Sequence, residues 1–318
     1  MRKSFFVLAA VACCACSKGV VGSSVVKEEK DVELRFSVPV TASKMSGPVV
    51  EDAVENLQVF VFGANGEIQS FGMSEGNSLS MTCTTGEKDI AVVVNSDPIP
   101  GVIDYEGFMG FMTDFSDNAP ERFVMTGTCS KYLDASGTIE IPVSRRVSKV
   151  ILSSVTRAFT MEQHQNMDFE LMSVFMINTP DRFGLFAEIH DDALINQGVS
   201  DIDAIVEASG GLLYDDLGNI PVEQGQTLDV GNFLYCYPNT NGGLIPHPYM
   251  VVQAKLGDGI YYYTVKLPAM QSNKCYNIDL TVTMPGSLSP DEPVKKEEAS
   301  FSVTVTDWNE NIDIDETI

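Results

Sequence analysis

Short runs in which apolar and polar residues alternate recur along most of the chain and confine it to β structure. Val32-Glu33-Leu34-Arg35-Phe36-Ser37-Val38 is the first such run, Tyr276 to Thr283 is the clearest, and Ala299 to Trp308 is the last. A period of two sends successive side chains to opposite faces, so each run reads as a strand with one face in a core and one in water. Leu57 to Phe62 and Asp89 to Asn95 are apolar without alternation, the pattern of strands covered on both faces. Arg122 to Thr128, Gly137 to Val143, Arg145 to Leu152 and Phe169 to Ile177 add further strands. Tyr249 to Leu256 and Ile260 to Leu267 flank Gly257-Asp258-Gly259, a hairpin with a glycine where positive φ is needed. At 318 residues the chain exceeds what one core usually supports. The expectation is an all-β fold of two β-sandwich domains in tandem with minor helical insertions. The polar stretch Thr156 to Gln165 sets the boundary, giving domains 45–157 and 158–318. Asp191 to Ser209, interrupted by Gly198, is the best helical stretch, and Ala42 to Asn56 reads as an exposed linker. The basic residues of Arg145 to Leu152 are expected to face outward or to pair with acidic surface groups.

The N-terminus reads as an export signal. Arg2-Lys3 precedes an apolar and small-residue stretch from Phe5 to Ala15, too short to cross a bilayer. It ends in Cys13-Cys14-Ala15-Cys16-Ser17-Lys18, which resembles a bacterial lipobox. Cys16, where the polar segment opens, is the expected acylation site, with Cys13 as the alternative; residues 1–16 are then the signal peptide. Lasting attachment follows from the methylenes that acyl chains bury. Four cysteines lie beyond it, at 83, 129, 236 and 275, with no CxxC among them. Buried free thiols are expected, with one disulfide as the alternative in an exported chain.

Chemistry is sparse. Asp+Glu 44 against Lys+Arg 20 gives a net charge of −24, which argues against nucleic acid as a partner. His164, His190 and His247 fit no metal-ligand spacing, and no Asp-rich loop has the calcium pattern. No nucleophile elbow, Walker loop or dinucleotide fingerprint is present. No catalytic residue, metal or cofactor is assigned, and the chain reads as a non-enzyme. Tyr261-Tyr262-Tyr263 offers two rings on one face of a strand, a minimal start for stacking on a sugar.

Two features fit a self-contained fold poorly. The strand Val32 to Val40 precedes a charged linker in which Lys44, between Ser43 and Met45, is an accessible trypsin-type site. At the other end Phe301, Val303 and Val305 line one face of a strand, followed by Trp308 and by Ile312 and Ile314. Such a tail is either a last sheet strand or a strand meant for another molecule.

These residues meet a known pattern. Asn273-Lys274-Cys275-Tyr276-Asn277-Ile278-Asp279-Leu280 through Met284-Pro285-Gly286, then Pro290-Asp291-Glu292-Pro293-Val294, closing on Val305-Thr306-Asp307-Trp308, resembles the C-terminal signature of fimbrillins, major subunits of type V pili. Leu57 to Phe62 with Gly66 looks like their first mature strand, Arg145 to Val150 like the basic strand closing their N-terminal domain, and Cys16 fits their lipidation. The resemblance implies an exported outer-membrane lipoprotein precursor that becomes part of a cell-surface fimbrium supporting adhesion and biofilm formation. It implies a propeptide, 17–44, removed by a trypsin-like protease cutting after Lys44 and before Met45; the family more often carries Arg there. Loss of the propeptide takes away the first strand, with Leu34, Phe36 and Val38. A donor tail, 299–318, carrying Phe301, Val303, Val305, Trp308, Ile312 and Ile314, then fills the vacated groove of a neighbouring copy. Implied partners are copies of the chain in a head-to-tail filament, anchor and tip subunits, the protease, and the outer membrane before processing. A fimbrial anchor or tip lipoprotein, or a monomeric glycan-binding surface lipoprotein, remain the alternatives.

Overall fold

The computed structural model describes residues 29–39, 51–198, 201–239 and 247–308. Its first half runs through β1 (Asp31–Ser37), β2 (Asn56–Phe62), β3 (Ile68–Glu75), β4 (Ser78–Thr84) and β5 (Gly86–Val94). A short helix α1 (Tyr105–Met109) follows, then β6 (Met112–Asp114), β7 (Met125–Leu133), β8 (Gly137–Glu140) and β9 (Ser144–Arg145). The second half begins with β10 (Ser148–Arg157), α2 (Glu162–Gln165) and β11 (Phe169–Ile177). Three short pieces come next, β12 (Thr179–Pro180), β13 (Arg182–Gly184) and β14 (Leu194–Ile195), and then α3 (Ile202–Ser209). The chain closes with β15 (Tyr214–Pro221), β16 (Thr227–Cys236), β17 (Tyr249–Leu256), β18 (Gly259–Lys266), β19 (Lys274–Val282) and β20 (Ala299–Asp307).

The fold is all-β. In the first half a three-stranded sheet, ordered β4-β1-β8, packs on a five-stranded sheet ordered β3-β2-β5-β7-β9. The alternation of β1 does what its period demands, sending Val32, Leu34, Phe36 and Val38 inward against Val59, Val61, Ile90, Val92 and Ile139. The apolar runs Val59 to Phe62 of β2 and Ile90 to Val94 of β5 reflect double coverage. Leu57, Val59 and Val61 face that core, while Phe60, Phe62, Ala91 and Val93 pack beneath α1 around Phe108.

In the second half the sheet β16-β10-β19-β20 faces the sheet β15-β11-β17-β18. β10 runs parallel to β19 and antiparallel to β16, so it lies in the middle of its sheet. The hairpin of β17 and β18 turns at Gly257, whose φ of +57° is easy only for a residue without a side chain. α3 covers the outer face of the second sheet by setting Ile205 against Phe175, Ile177 and Val251.

The halves are joined by more than a linker. β6 pairs with β13, and Phe115 and Phe123 from the first half enter the core of the second. Three expectations are corrected. Arg145 to Leu152 is not one strand: β9 ends at Arg145 in the first sandwich, and β10 starts at Ser148 in the second. The change of sandwich thus precedes the expected 157/158 junction. The helix expected over Asp191 to Ser209 is confined to Ile202–Ser209, because Leu194–Ile195 pairs with Thr179–Pro180 and Gly198 takes positive φ. Finally Arg145, Arg146 and Lys149 point inward and are 3%, 6% and 2% exposed. Asp52 and Glu51, the counter-charges of Arg145 and Lys149, are buried with them, whereas Glu188 beside Arg146 is exposed.

Candidate functional site

β1 occupies an unusual position for a strand at the start of the described chain. It is the middle strand of its sheet, antiparallel to β4 from Asp31↔Thr84 to Ser37↔Ser78 and parallel to β8 from Leu34↔Gly137 to Ser37↔Glu140. The pairing extends past its ends, where Val38 N donates to Asn77 O (3.0 Å) and Ile141 N donates to Ser37 O (2.9 Å). Leu34, Phe36 and Val38 are all buried, whereas Arg35 faces solvent and donates from Nη2 to Ser78 Oγ. In this three-stranded sheet β4 and β8 have no partner but β1. Between β1 and β2 the chain passes through residues 40–50, so Lys44 and Met45 lie outside the described residues, as do Cys13 and Cys16.

In the second half β20 pairs with β19 along its whole length, from Val282↔Ala299 to Lys274↔Asp307, and among the described residues no strand pairs with its other edge. Phe301, Val303 and Val305 oppose Leu280, Ile278 and Tyr276, which are buried. The face is therefore the core-facing one, yet Phe301 and Val305 are 39% and 50% exposed and Val303 is only partly buried. The segment 287–294 accounts for part of this. It pairs onto the edge of the opposite sheet, Tyr262 with Ser287 and Thr264 with Val294, and not onto β20. Ile312 and Ile314 lie outside the described residues.

Trp308, the chain's single tryptophan, is 4% exposed and sits at the junction of the halves. Its Nε1 donates to Glu51 Oε2 (2.8 Å), and its ring stacks on Tyr235 at 5.7 Å and 15°. Glu51 Oε1 accepts from Lys149 Nζ (2.7 Å) and from the Tyr235 hydroxyl. Asp52 pairs with Arg145, whose guanidinium lies 4.7 Å from the centre of the indole and donates to Asn273 Oδ1 (3.2 Å). Burial alone would raise the Glu51 pKa, but the hydrogen bonds from Lys149, Tyr235 and Trp308 and the Lys149 charge outweigh it and hold it below the usual carboxylate range. The same burial, with Glu51 beside it, pushes the Tyr235 hydroxyl far up, so it stays a donor. Glu51 and Asp52 belong to the stretch read from sequence as an exposed linker. The available signal was a pair of acids just ahead of a strand and three bases in a short stretch of a chain poor in bases.

The remaining groups offer little chemistry. Cys83, Cys129, Cys236 and Cys275 are free thiols. Tyr263 is fully buried, with its hydroxyl donating to Met284 O, and Tyr261 packs on the core, so the pair forms no open sugar platform. Among the described residues no cluster of three His, Cys, Asp or Glu could hold a metal ion. One cleft of about 570 Å³ is lined by Phe115, Ser116, Asp181, Asn196 and Glu207.

No protein-family model matches the chain, and no curated protein matches it. Solved structures do. A Parabacteroides distasonis protein provisionally named for cell adhesion superposes with a TM-score of 0.66 at 16% identity, covering 88% of this chain and 100% of the other. A protein from Bacteroides eggerthii with the same provisional name gives 0.65 at 15% identity, over 88% and 96%. The fimbrilin FimA of Porphyromonas gingivalis gives 0.62 at 14% identity, over 87% and 97%. At these identities the likeness establishes a shared fold of fimbrilin type across nearly the whole chain.

Proposed function

We propose that the chain is a structural, non-enzymatic subunit of a cell-surface fimbria, built by replacing β1 of one copy with the C-terminal strand of the next. The observation that carries the reading is the position of β1. It is a middle strand contributing Val32, Leu34, Phe36 and Val38 to the core, and one cut between 40 and 50 severs it from all that follows. Lys44 supplies a cut for a trypsin-like protease. Losing β1 opens a slot lined by apolar side chains and by the unpaired edges of β4 and β8, a template for another strand. Refilling four such positions is worth about 6–12 kcal/mol before ordering and association costs. A contact between one end of a molecule and the opposite end of its copy does not close on itself, so it grows a filament.

The fold shared with a fimbrilin supports the same assignment. The rest of the reading comes from sequence. Cys16, or Cys13 in its place, tethers the precursor to the outer membrane. Processing before Met45 removes the tether with the propeptide and leaves the body from 45 onward as the polymerising unit. Anchor and tip subunits complete the fibre, whose role is adhesion and biofilm formation. Limited trypsin treatment of the precursor, N-terminal sequencing and electron microscopy test this together. The expected result is a new N-terminus at Met45 and ladders or filaments. A clipped protein that remains monomeric refutes the stalk assignment and leaves a tip or anchor role.

A further inference from the structure

Strand replacement leaves open where the donated segment begins. β20 carries apolar side chains that stand half out of the sheet, and the sequence beyond it places Ile312, Ile314 and Ile318 at even spacing, a pattern that would share one face if paired as a strand. Either stretch, or both together, could cross to a neighbour.

We propose that Glu51 and Trp308 form a clasp that roots the tail, so that β20 stays in its own subunit and only the residues beyond Trp308 are donated. The inference rests on the strand-replacement reading above and specifies its donor. Three observations carry it. First, Trp308 is held from every side. Its N–H is on Glu51, Tyr235 stacks against one face, the Arg145 guanidinium lies over the ring, and Phe123 meets it at 66° with centroids 6.0 Å apart. Second, Glu51 cannot give up Trp308 cheaply. It is 5% exposed, and the groups facing it are Lys149, Arg145, Tyr235 and Trp308, with Asp52 beside it in the chain. Withdrawing the indole leaves a buried carboxylate short of a donor and strips the cover from the Arg145 and Lys149 charges. Third, β20 is joined to β19 at nine consecutive positions, all of which would have to part before Ala299 could leave.

The clasp also explains why two acids stand where sequence shows a linker. Glu51 and Asp52 lie a few residues after Lys44, on the stretch that would become the new N-terminus. Processing therefore frees β1 while the residues that follow it stay pinned under the root of the tail. The new N-terminal stretch and the departing tail are held at one point, which gives every subunit the same tail direction.

A staple decides the matter. Asp279 and Ser302 are cross-strand partners on the exposed side of β19 and β20. In the full chain, Asp279→Cys with Ser302→Cys, oxidised, ties β20 to its own sheet. After processing, the stapled protein is expected to form filaments at the same rate before and after reduction. Filaments that appear only on reduction would overturn the proposal, because β20 would have had to leave. Failure of the processed unmodified chain to polymerise would instead overturn the strand-replacement reading, and the donor boundary with it. The clasp is read separately in the unprocessed chain, where Trp308 is the sole tryptophan emitter. Glu51→Ala is expected to shift its emission to the red and open it to acrylamide, with a smaller shift for Glu51→Gln, which keeps the side-chain shape. Unchanged emission and quenching in both variants would show that Glu51 does not hold the indole.

Discussion

Phe36→Ala separates the two roles assigned to β1, holding the precursor together and then letting go. Phe36 is 0% exposed and opposes Leu79 on β4 and Ile139 on β8, so truncation leaves a cavity at the middle of the sheet. Phe-to-Ala changes at such sites cost about 3–5 kcal/mol. In the unprocessed chain this appears as a lower urea midpoint for the first sandwich, by on the order of 1 M for a chain of this size. After cleavage the same loss acts on a strand that is no longer covalently attached. Its grip weakens by roughly two to four orders of magnitude at ~1.4 kcal/mol per tenfold. Where release of β1 limits assembly, the processed variant polymerises faster although its precursor is less stable. The assay is light scattering after a trypsin pulse, alongside urea unfolding of the uncut protein, with the exposed Arg35→Ala as control. A precursor destabilised as expected whose processed form assembles at the unmodified rate would refute release of β1 as the limiting step of assembly.

Further outcomes follow from the junction and the core. Because the folded pKa of Glu51 is depressed, its contribution is fully present above the ordinary value of 4.5 and is lost as pH falls through the folded value. Trp308 emission should therefore hold steady from neutral pH to about 5 and shift to the red below the ordinary carboxylate range, a step that Glu51→Gln removes. Lys149→Met leaves Glu51 buried without its cation and should cost about 3–5 kcal/mol in urea unfolding. Asn95 adopts φ of +59° and binds Glu55 N, Ala53 O and Phe123 O through its side chain. Asn95→Ala should lower stability by about 2–4 kcal/mol and loosen the 51–55 stretch, seen as faster hydrogen exchange at Glu55. Burial pushes the Cys236 thiol up to about 12 and the Cys275 thiol up to about 11, so both should resist alkylation in the native protein at pH 8 and react on unfolding.

The strands were legible wherever a single face decided the pattern. β1, β19 and the β17–β18 hairpin follow from alternation and a turn glycine, since local periodicity and burial agree there. In β3 the apolar Phe71 and Met73 are the exposed residues, in β4 Ser and Thr outnumber the apolar positions, and in β16 Gly231 and Asn232 interrupt the alternation begun by Leu228 and Val230, so none of the three shows one clean apolar face. The junction was illegible for a different reason. Arg145, Arg146 and Lys149 look like surface residues until Asp52, Glu188 and Glu51 are brought to them from distant parts of the chain. Charge neutralisation of that kind is tertiary and leaves no period. β20 lies between the two cases: its alternation was visible, but that its apolar side stands half in water depends on segment 287–294 pairing with the opposite sheet.

Amide hydrogen exchange along β4 and β8 tests the central claim most directly, because β1 is their only partner within that sheet. The amides of Ser78–Thr84 and Gly137–Glu140 that bond to β1 should be slow in the precursor, fast in a processed chain lacking residues 309–318, and slow again in the assembled fibre. Exchange that is equally slow in all three states would contradict the account, since the slot would then never have opened.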